Sequence, residues 1–320
     1  MNIRLDTTSL HPSFRPFRDY LITMVPIVAL AVFVYGWRVL IMLGISTVIA
    51  VLSDFIVAFL RKSTLDLSDI SSITLAWIFT LLLPASVSYT VLIVGICLTV
   101  FVGKHAFGGY GVYPFNPVAF GFAFTAVTYP EQVFNYPGSF TDVPLGWNPS
   151  VELFKSPGSL VMEGRKPGVG VIDMILGEYE GPVGTTFCIV ALSCLVLLVV
   201  HKAMSWHIPV SYLASFAVLS FAFPRMQASR TESMIMEMVC GWVPFAATYL
   251  VSEPSSSPKN DIAKLIYGIV LGAVSVLFTW YGTYEGAVCF ALLICSPVGM
   301  YLDRKLGGTR STRKGERVDA

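Results

Sequence analysis

Four places in this chain combine residue types and spacing that could do chemistry. The run Glu180-Gly-Pro-Val-Gly-Thr-Thr186 sets two hydroxyls, Thr185 and Thr186, just after Gly184 at the start of an apolar stretch. Free amides and the dipole at a helix N-terminus favour a phosphate, and a threonine there can equally be a simple helix cap. A threonine hydroxyl is a poor nucleophile unaided, so a covalent group on it would be added by another enzyme. The run GGYGVYPFNPVAFG, Gly108–Gly121, follows Lys104 and His105. Gly108, Gly109 and Gly111 let backbone approach a ligand or another helix closely. Pro114 and Pro117 prevent a regular helix until about Val118, and Asn116 suits the backbone groups this frees; a structural re-entrant turn explains the same residues. Asp54 and Glu237 are carboxylates within apolar stretches, which makes them ion-coupling candidates; the alternative is a carboxylate near an interface, reached by water. Arg225 and Arg230 share one short loop and would suit an anionic group, lipid headgroups or a partner subunit.

Such residues need a scaffold, and the composition says which kind. Of 320 residues, 55% are hydrophobic and only 13% charged, with mean hydropathy +0.70. Soluble domains carry about 25% charged residues. A chain this poor in charge could not cover its own core in water, so an all-α integral membrane protein is expected. Disorder, a secreted disulfide scaffold and an ordinary cytosolic enzyme are excluded. A net charge of +1 implies no polyanion partner, and no nucleic acid. The six cysteines contain no CxxC, and iron–sulfur ligation needs clustered thiolates. They read as small buried hydrophobes. With four histidines and no CxxCH, no metal-ligand set is expected.

A membrane helix needs about twenty mostly apolar residues. Ten spans are expected, near 20–36, 39–60, 70–83, 86–103, 115–129, 184–200, 208–223, 234–252, 265–281 and 286–301. Several are short or end at proline, as broken helices do where they line a cavity. With both termini in the cytoplasm, 15 of the 21 Lys and Arg fall inside, as the positive-inside rule requires. No cleavable signal precedes the first span. The expected organisation is a five-span half over 1–129, an acidic extracytoplasmic loop over 130–183 with a short helix at Val171–Leu176, a second five-span half over 184–302 and a basic cytoplasmic tail over 303–320.

The halves share short matches. LLLP at Leu81–Pro84 parallels VSEP at Val251–Pro254, and FNPVAFG at Phe115–Gly121 parallels CSPVGMY at Cys295–Tyr301. Five spans per half give the halves opposite orientation, the inverted repeat of transporter-like folds.

These segments resemble the NqrB/RnfD family, membrane subunits of the sodium-pumping NADH:quinone oxidoreductase and of the Rnf ion-pumping complex. The resemblance runs from about His11 to Arg304. Its most specific part, GKHAFGGYGVYPFNPVAFG at Gly103–Gly121, is similar to GKxxFGGxGxNxFNPAxxG. YLVSEPSSSP at Tyr249–Pro258 is similar to FMATDPVTSP, and YEGAVCFALLICSPVGMYLDR to YPEGVAFAVLLMN…PLID. The chain lacks the N-terminal extension of NqrB, which places it nearer the Rnf side of the family, RnfD. The resemblance implies a urea-transporter-like fold of two inverted halves. It also implies FMN esterified to a threonine by a flavin transferase, within D-x-x-[ST]-G-A-[ST]. Gly184 and Thr186 fit that pattern; Glu180, Val183 and Thr185 depart from it. Thr186 is the expected acceptor, with Thr185 the alternative. The family's DGSALVTG-like run is not recognisable at Asp66–Thr74, which leaves a second flavin, riboflavin, an open expectation.

The sequence therefore supports two functions. One is a flavin-carrying subunit that relays electrons between an extracytoplasmic FMN subunit and membrane iron–sulfur subunits while the complex moves Na⁺ or H⁺ across the cell membrane. The other is a small-solute channel of the same architecture without redox work.

Overall fold

The computed structural model describes residues 3–4, 11–62, 65–66, 68–226, 228–240, 242–282 and 285–315, with side chains in the last helix to Leu306. The chain is mostly helical. Among the described residues, four helices are long and apolar enough to cross a membrane: α1 (Phe14–Tyr35), α2 (Arg38–Arg61), α13 (Asp261–Tyr281) and the first twenty residues of α14 (Ala287–Gly315). Shorter apolar helices fill the space between them: α3 (Ser71–Leu81), α4 (Tyr89–Cys97), α5 (Pro117–Thr128), α9 (Cys188–Val200) and α10 (His207–Ala222). The rest are α6 (Pro130–Val133), α7 (Pro157–Met162), α8 (Val171–Leu176), α11 (Arg230–Cys240) and α12 (Val243–Tyr249). Strands β1 (Ile3–Arg4) and β2 (Leu65–Asp66) pair in parallel; β3 (Tyr136–Pro137) and β4 (Leu153–Phe154) pair antiparallel.

The outward face of α2 carries Leu40, Ile41, Val48, Val51, Leu52, Phe55, Ile56 and Phe59, all exposed. In water such a stripe is an aggregation hazard; against lipid tails it is at home. Within the bundle, small residues bring helices together. On α13, Gly268 and Gly272 face Ser211 and Ser215 of α10, and a methyl group at either glycine would run into the serine hydroxyl. That is the small-xxx-small packing of membrane helices.

Two features differ from expectation. The eighth expected span, 234–252, is not one helix: α11 and α12 are separated by a break at Trp242, which is buried with φ +62°. The fourth span does not stay α-helical either. After Cys97 it continues as an eight-residue π-helix, Leu98–His105. In the acidic loop, α8 lies where a short helix was expected, joined by α6, α7 and the β3–β4 ladder.

The loops gather at two opposite ends. At one end Arg38, fully buried, donates to the carbonyls of Ala85, Val87, Pro144 and Gly146 at 2.6–2.9 Å, tying α2 to the loop after α3 and to the long loop. At the other end Tyr20 donates to the Ser252 carbonyl, 3.1 Å, and the start of α1 meets the segment after α12.

Candidate functional site

At the Tyr20 end, five segments converge on one charged cluster. Asp54 comes from α2, Ser71 and Ser72 from the first turn of α3, and Asp69 from the residues just before it. Lys104 and His105 end the π-helix; His11 and Ser13 precede α1. A π-turn adds a residue relative to an α-turn, as in the Ala106 amide bonding the Phe101 carbonyl at 2.8 Å, and such turns concentrate at functional sites. Both Lys104 and His105 reach the cluster from it.

Lys104 is 1% exposed, and its Nζ donates to Asp69 Oδ2 at 2.9 Å and Ser72 Oγ at 2.6 Å, with Asp54 Oδ1 3.7 Å away. Asp54 Oδ1 also accepts from Ser72 Oγ at 2.7 Å and lies 2.5 Å from His105 Nε2. Asp69 Oδ1 accepts from the Ser13 and Ser71 hydroxyls at 2.7 and 2.6 Å. His11 Nδ1 is 2.7 Å from Ser13 Oγ and 3.8 Å from Asp69. Burial alone would push the Asp69 carboxyl up. The Lys104 ammonium and the bonds from Ser71, Lys104 and Ser13 outweigh it and hold Asp69 well below the usual carboxylate range. Two carboxylates thus face one buried ammonium, with the imidazoles of His105 and His11 against Asp54 and Asp69. A cavity of about 260 Å³ opens onto the cluster, lined also by Arg61, Gly108, Gly109 and Tyr110.

The glycine run forms the next wall. Gly108, Gly109 and Gly111 all have positive φ, +121°, +103° and +87°, which other residues adopt only with strain. Asn116 caps α5, accepting from Val118 and Ala119, and its Nδ2 donates to the Leu250 carbonyl at 2.9 Å. Tyr113 donates to Glu253 Oε1 at 2.6 Å, and the Gly111 amide to Ser255 Oγ at 2.8 Å. The two segments Gly108–Gly121 and Tyr249–Pro258, far apart in sequence, are therefore one structure.

Thr185 and Thr186 lie elsewhere, at the Arg38 end, and the expected open helix N-terminus is not there. Helix α9 starts at Cys188 with Phe187 at its cap position, so neither threonine caps it. The amides of Val183 and Gly184 are taken by the Leu83 and Leu81 carbonyls at 3.0 and 2.8 Å, and Tyr35 holds the Gly181 carbonyl at 3.2 Å. Gly184 is wedged between Leu81 and Phe245. Both threonines are buried, and neither hydroxyl has a hydrogen-bond partner among the described residues. The hydroxyls have the chemistry to take a phosphoester, but as folded the segment does not accommodate a flavin phosphate.

Arg225 and Arg230 make no hydrogen bond or ion pair with either threonine among the described residues. Arg225 donates to the Met162 carbonyl at 2.8 Å and lies 5.9 Å from the Trp280 ring centre; Arg230 is exposed at the start of α11. Glu237 is buried on α11 beside Ser233. The sequence reading picked out Asp54 and missed its partners Lys104, His105 and Asp69, and missed Glu253 and Glu285. Adjacency to the glycine run was the available signal for Lys104 and His105, and the Glu-Gly step opening the last span for Glu285.

The NQR2, RnfD, RnfE family model matches residues 12–306. Among similar proteins are three named as D subunits of ion-translocating oxidoreductase complexes. The one from Haemophilus ducreyi is 24% identical, covering 90% of this chain and 93% of its own. That from Actinobacillus succinogenes is 25% identical, covering 86% and 88%. That from Vibrio atlanticus is 23% identical, covering 82% and 84%.

Proposed function

The chain belongs to the NQR2, RnfD, RnfE family, and from that premise we propose that it is a multi-pass membrane subunit of an Rnf-type complex that couples electron transfer to movement of Na⁺ or H⁺. Electrons pass from ferredoxin to NAD or another acceptor, and the partners are an extracytoplasmic FMN subunit and membrane iron–sulfur subunits. The chain sits in the cell membrane as ten spans in two inverted halves, with both termini and the Lys104 cluster at the cytoplasmic face.

The observation that carries this proposal is the Asp54–His105–Lys104–Asp69 network, half-buried around the buried Lys104 at the foot of an open cavity. Charge this deep in an apolar bundle costs several kcal/mol and marks ion pathways. A proton arriving through the cavity meets the His105 Nε2–Asp54 Oδ1 contact at its foot. A sodium ion instead takes the oxygens of Asp54 and Ser72, hard ligands for a hard cation. The Lys104 side chain orients both carboxylates. The test is Asp54→Asn in the assembled complex in sealed vesicles. We expect electron transfer to persist while ion uptake falls at least tenfold more steeply; equal loss of both, or no loss, removes Asp54 from coupling.

The finer part of the proposal is FMN on Thr186. Its support is the resemblance of Gly181–Thr186 and a buried hydroxyl with no partner among the described residues. Because the folded segment leaves no room, attachment by the flavin transferase requires 180–186 to leave its packing on α3 and α12. No step of the coupling above runs through the flavin. Thr186→Ala should abolish ultraviolet fluorescence of the denatured band. Fluorescence that persists on a peptide carrying Thr185 moves the site; a wild-type band without fluorescence removes the flavin.

A further inference from the structure

The Arg38 end holds two buried carboxylates that the proposed function does not use. Glu285, 6% exposed, sits between the end of α13 and the start of α14. Ser156, the cap of α7, donates to its Oε1 at 2.5 Å, and Tyr136 of β3 donates to its Oε2 at 3.1 Å. Glu237 on α11 is 2% exposed. Its Oε1 accepts from Ser233 at 3.3 Å, and its Oε2 has no hydrogen-bond partner among the described residues.

Both carboxylates line one cavity of about 20 Å³, with Gly158, Cys240 and Trp242 among its other walls. That is room for a single water. Glu285 lines a second cavity as well, an open vestibule of about 500 Å³ walled by Glu131, Asn135, Lys155, Ser159 and Glu163. It thus borders both a water-sized space and the open vestibule. Gly158 leaves the water-sized space open: a Cβ there would lie 3.1 Å from the Cys240 carbonyl oxygen and 3.6 Å from Glu285 Cδ.

The charges around the pair decide its chemistry. Arg225 is the cation facing Glu237, and it forms no ion pair with it among the described residues. On the vestibule side Lys155 is paired with Glu163 at 3.0 Å. Tyr136 and Tyr179 face Glu285 from the long loop, are pushed up by burial and remain phenols; the Cys240 thiol faces it from α11. Two buried carboxylates line this cavity, neither in an ion pair among the described residues, and burial favours the protonated acid.

We propose that Glu237 and Glu285, bridged by one water, form a proton-transfer pair that discharges through Glu285 into the outer vestibule. This rests on the ion-translocating function above and adds that the ion leaving at this face is a proton. Protonated Glu285 gives its proton to vestibule water. The resulting carboxylate draws the proton of Glu237 through the bridging water, and Glu237 is left ionised facing Arg225. Proton number is conserved at each transfer, and no bond to carbon changes. Burial pushes Glu285 up to about 7, against the bonds from Ser156 and Tyr136, so the transfer operates near neutral pH.

The experiment uses the purified complex in sealed lipid vesicles. Infrared difference spectra across a pH titration should show a carboxylic C=O band, sensitive to D₂O, with a midpoint near 7. Glu285→Gln should remove the band and cut electron-transfer-driven proton release at least tenfold. Ser156→Ala, which removes the donor to Oε1 together with the α7 cap and leaves the Glu285 carboxyl in place, should raise the midpoint and keeps the test open if Glu285→Gln fails to assemble. An unchanged band in Glu285→Gln, an unmoved midpoint in Ser156→Ala, or pumping of Na⁺ with no proton released overturns the proposal. A wild-type complex that transfers electrons but moves no ion at all overturns instead the function on which it rests.

Discussion

The two ends of this bundle bury carboxylates in opposite ways. At one end Asp69 lies 2.9 Å from the Lys104 ammonium and accepts from two serines. At the other Glu285 accepts from one serine and one tyrosine and has no ion pair among the described residues. Burial is common to both and pushes both carboxyls up; the nearby ammonium reverses the outcome for Asp69 alone. One end is thus built to stay charged and the other to hold a proton. A single cation, placed by one π-helical turn, separates the two behaviours.

The largest expected effect is the removal of that cation. Lys104→Met removes the buried cation that Asp69 and Asp54 share, a loss of about 3–5 kcal/mol. The complex should assemble poorly and unfold at markedly lower temperature in detergent. Lys104→Met with Asp69→Asn should recover a good part of that loss. If the double variant is as unstable as the single one, charge pairing is not what Lys104 contributes.

How much of this contrast could be read from sequence depends on which residues carry it. Asp54 stands out because a carboxylate in an apolar stretch is conspicuous by itself. Its partners do not, since Asp69, Lys104 and His105 meet Asp54 only once α3 and the π-helix are folded, and no periodicity announces a π-turn. The break at Trp242 was equally hidden: hydropathy runs on through it, so 234–252 read as one span. The glycine run was legible because positive φ at Gly108, Gly109 and Gly111 is a requirement of the residue type. The buried state of Thr186 was not, because it comes from carbonyls of Leu81 and Leu83 a hundred residues upstream.

A smaller effect should come from pH at the other end. The Glu285 carboxyl sits near 7 when folded against its ordinary 4.5, so the folded state holds an extra proton between those values. Stability from this group is therefore greatest below about 4.5, falls as pH rises towards 7 and is flat above, a span of at most roughly 3 kcal/mol. Thermal unfolding of the detergent-solubilised protein should be less favourable at pH 5 than at pH 8, and Glu285→Gln should remove that difference. A stability that rises through the same window in the wild type, and still rises in Glu285→Gln, would count against a protonated Glu285.

The smallest effects sharpen the contrast by asking whether the second end has a working cation after all. Arg230 is exposed at the start of α11, and Arg230→Ala should stay within about 0.5 kcal/mol of wild type. Arg225 is half-buried, faces Glu237 and holds the Met162 carbonyl at 2.8 Å, with one guanidinium nitrogen lacking a partner among the described residues. Arg225→Ala should therefore cost about 1–3 kcal/mol, the range for leaving a buried acceptor unmet. The more telling readout is the Glu285 titration. If Arg225 merely fastens α7 to the loop before α11, its loss lowers the melting temperature and leaves the titration midpoint where it was. If it serves the second end as Lys104 serves the first, the midpoint climbs as the positive charge is removed. We expect a small climb, because Arg225 forms no ion pair there; one as large as that of Ser156→Ala would make the two ends alike in kind and dissolve the contrast.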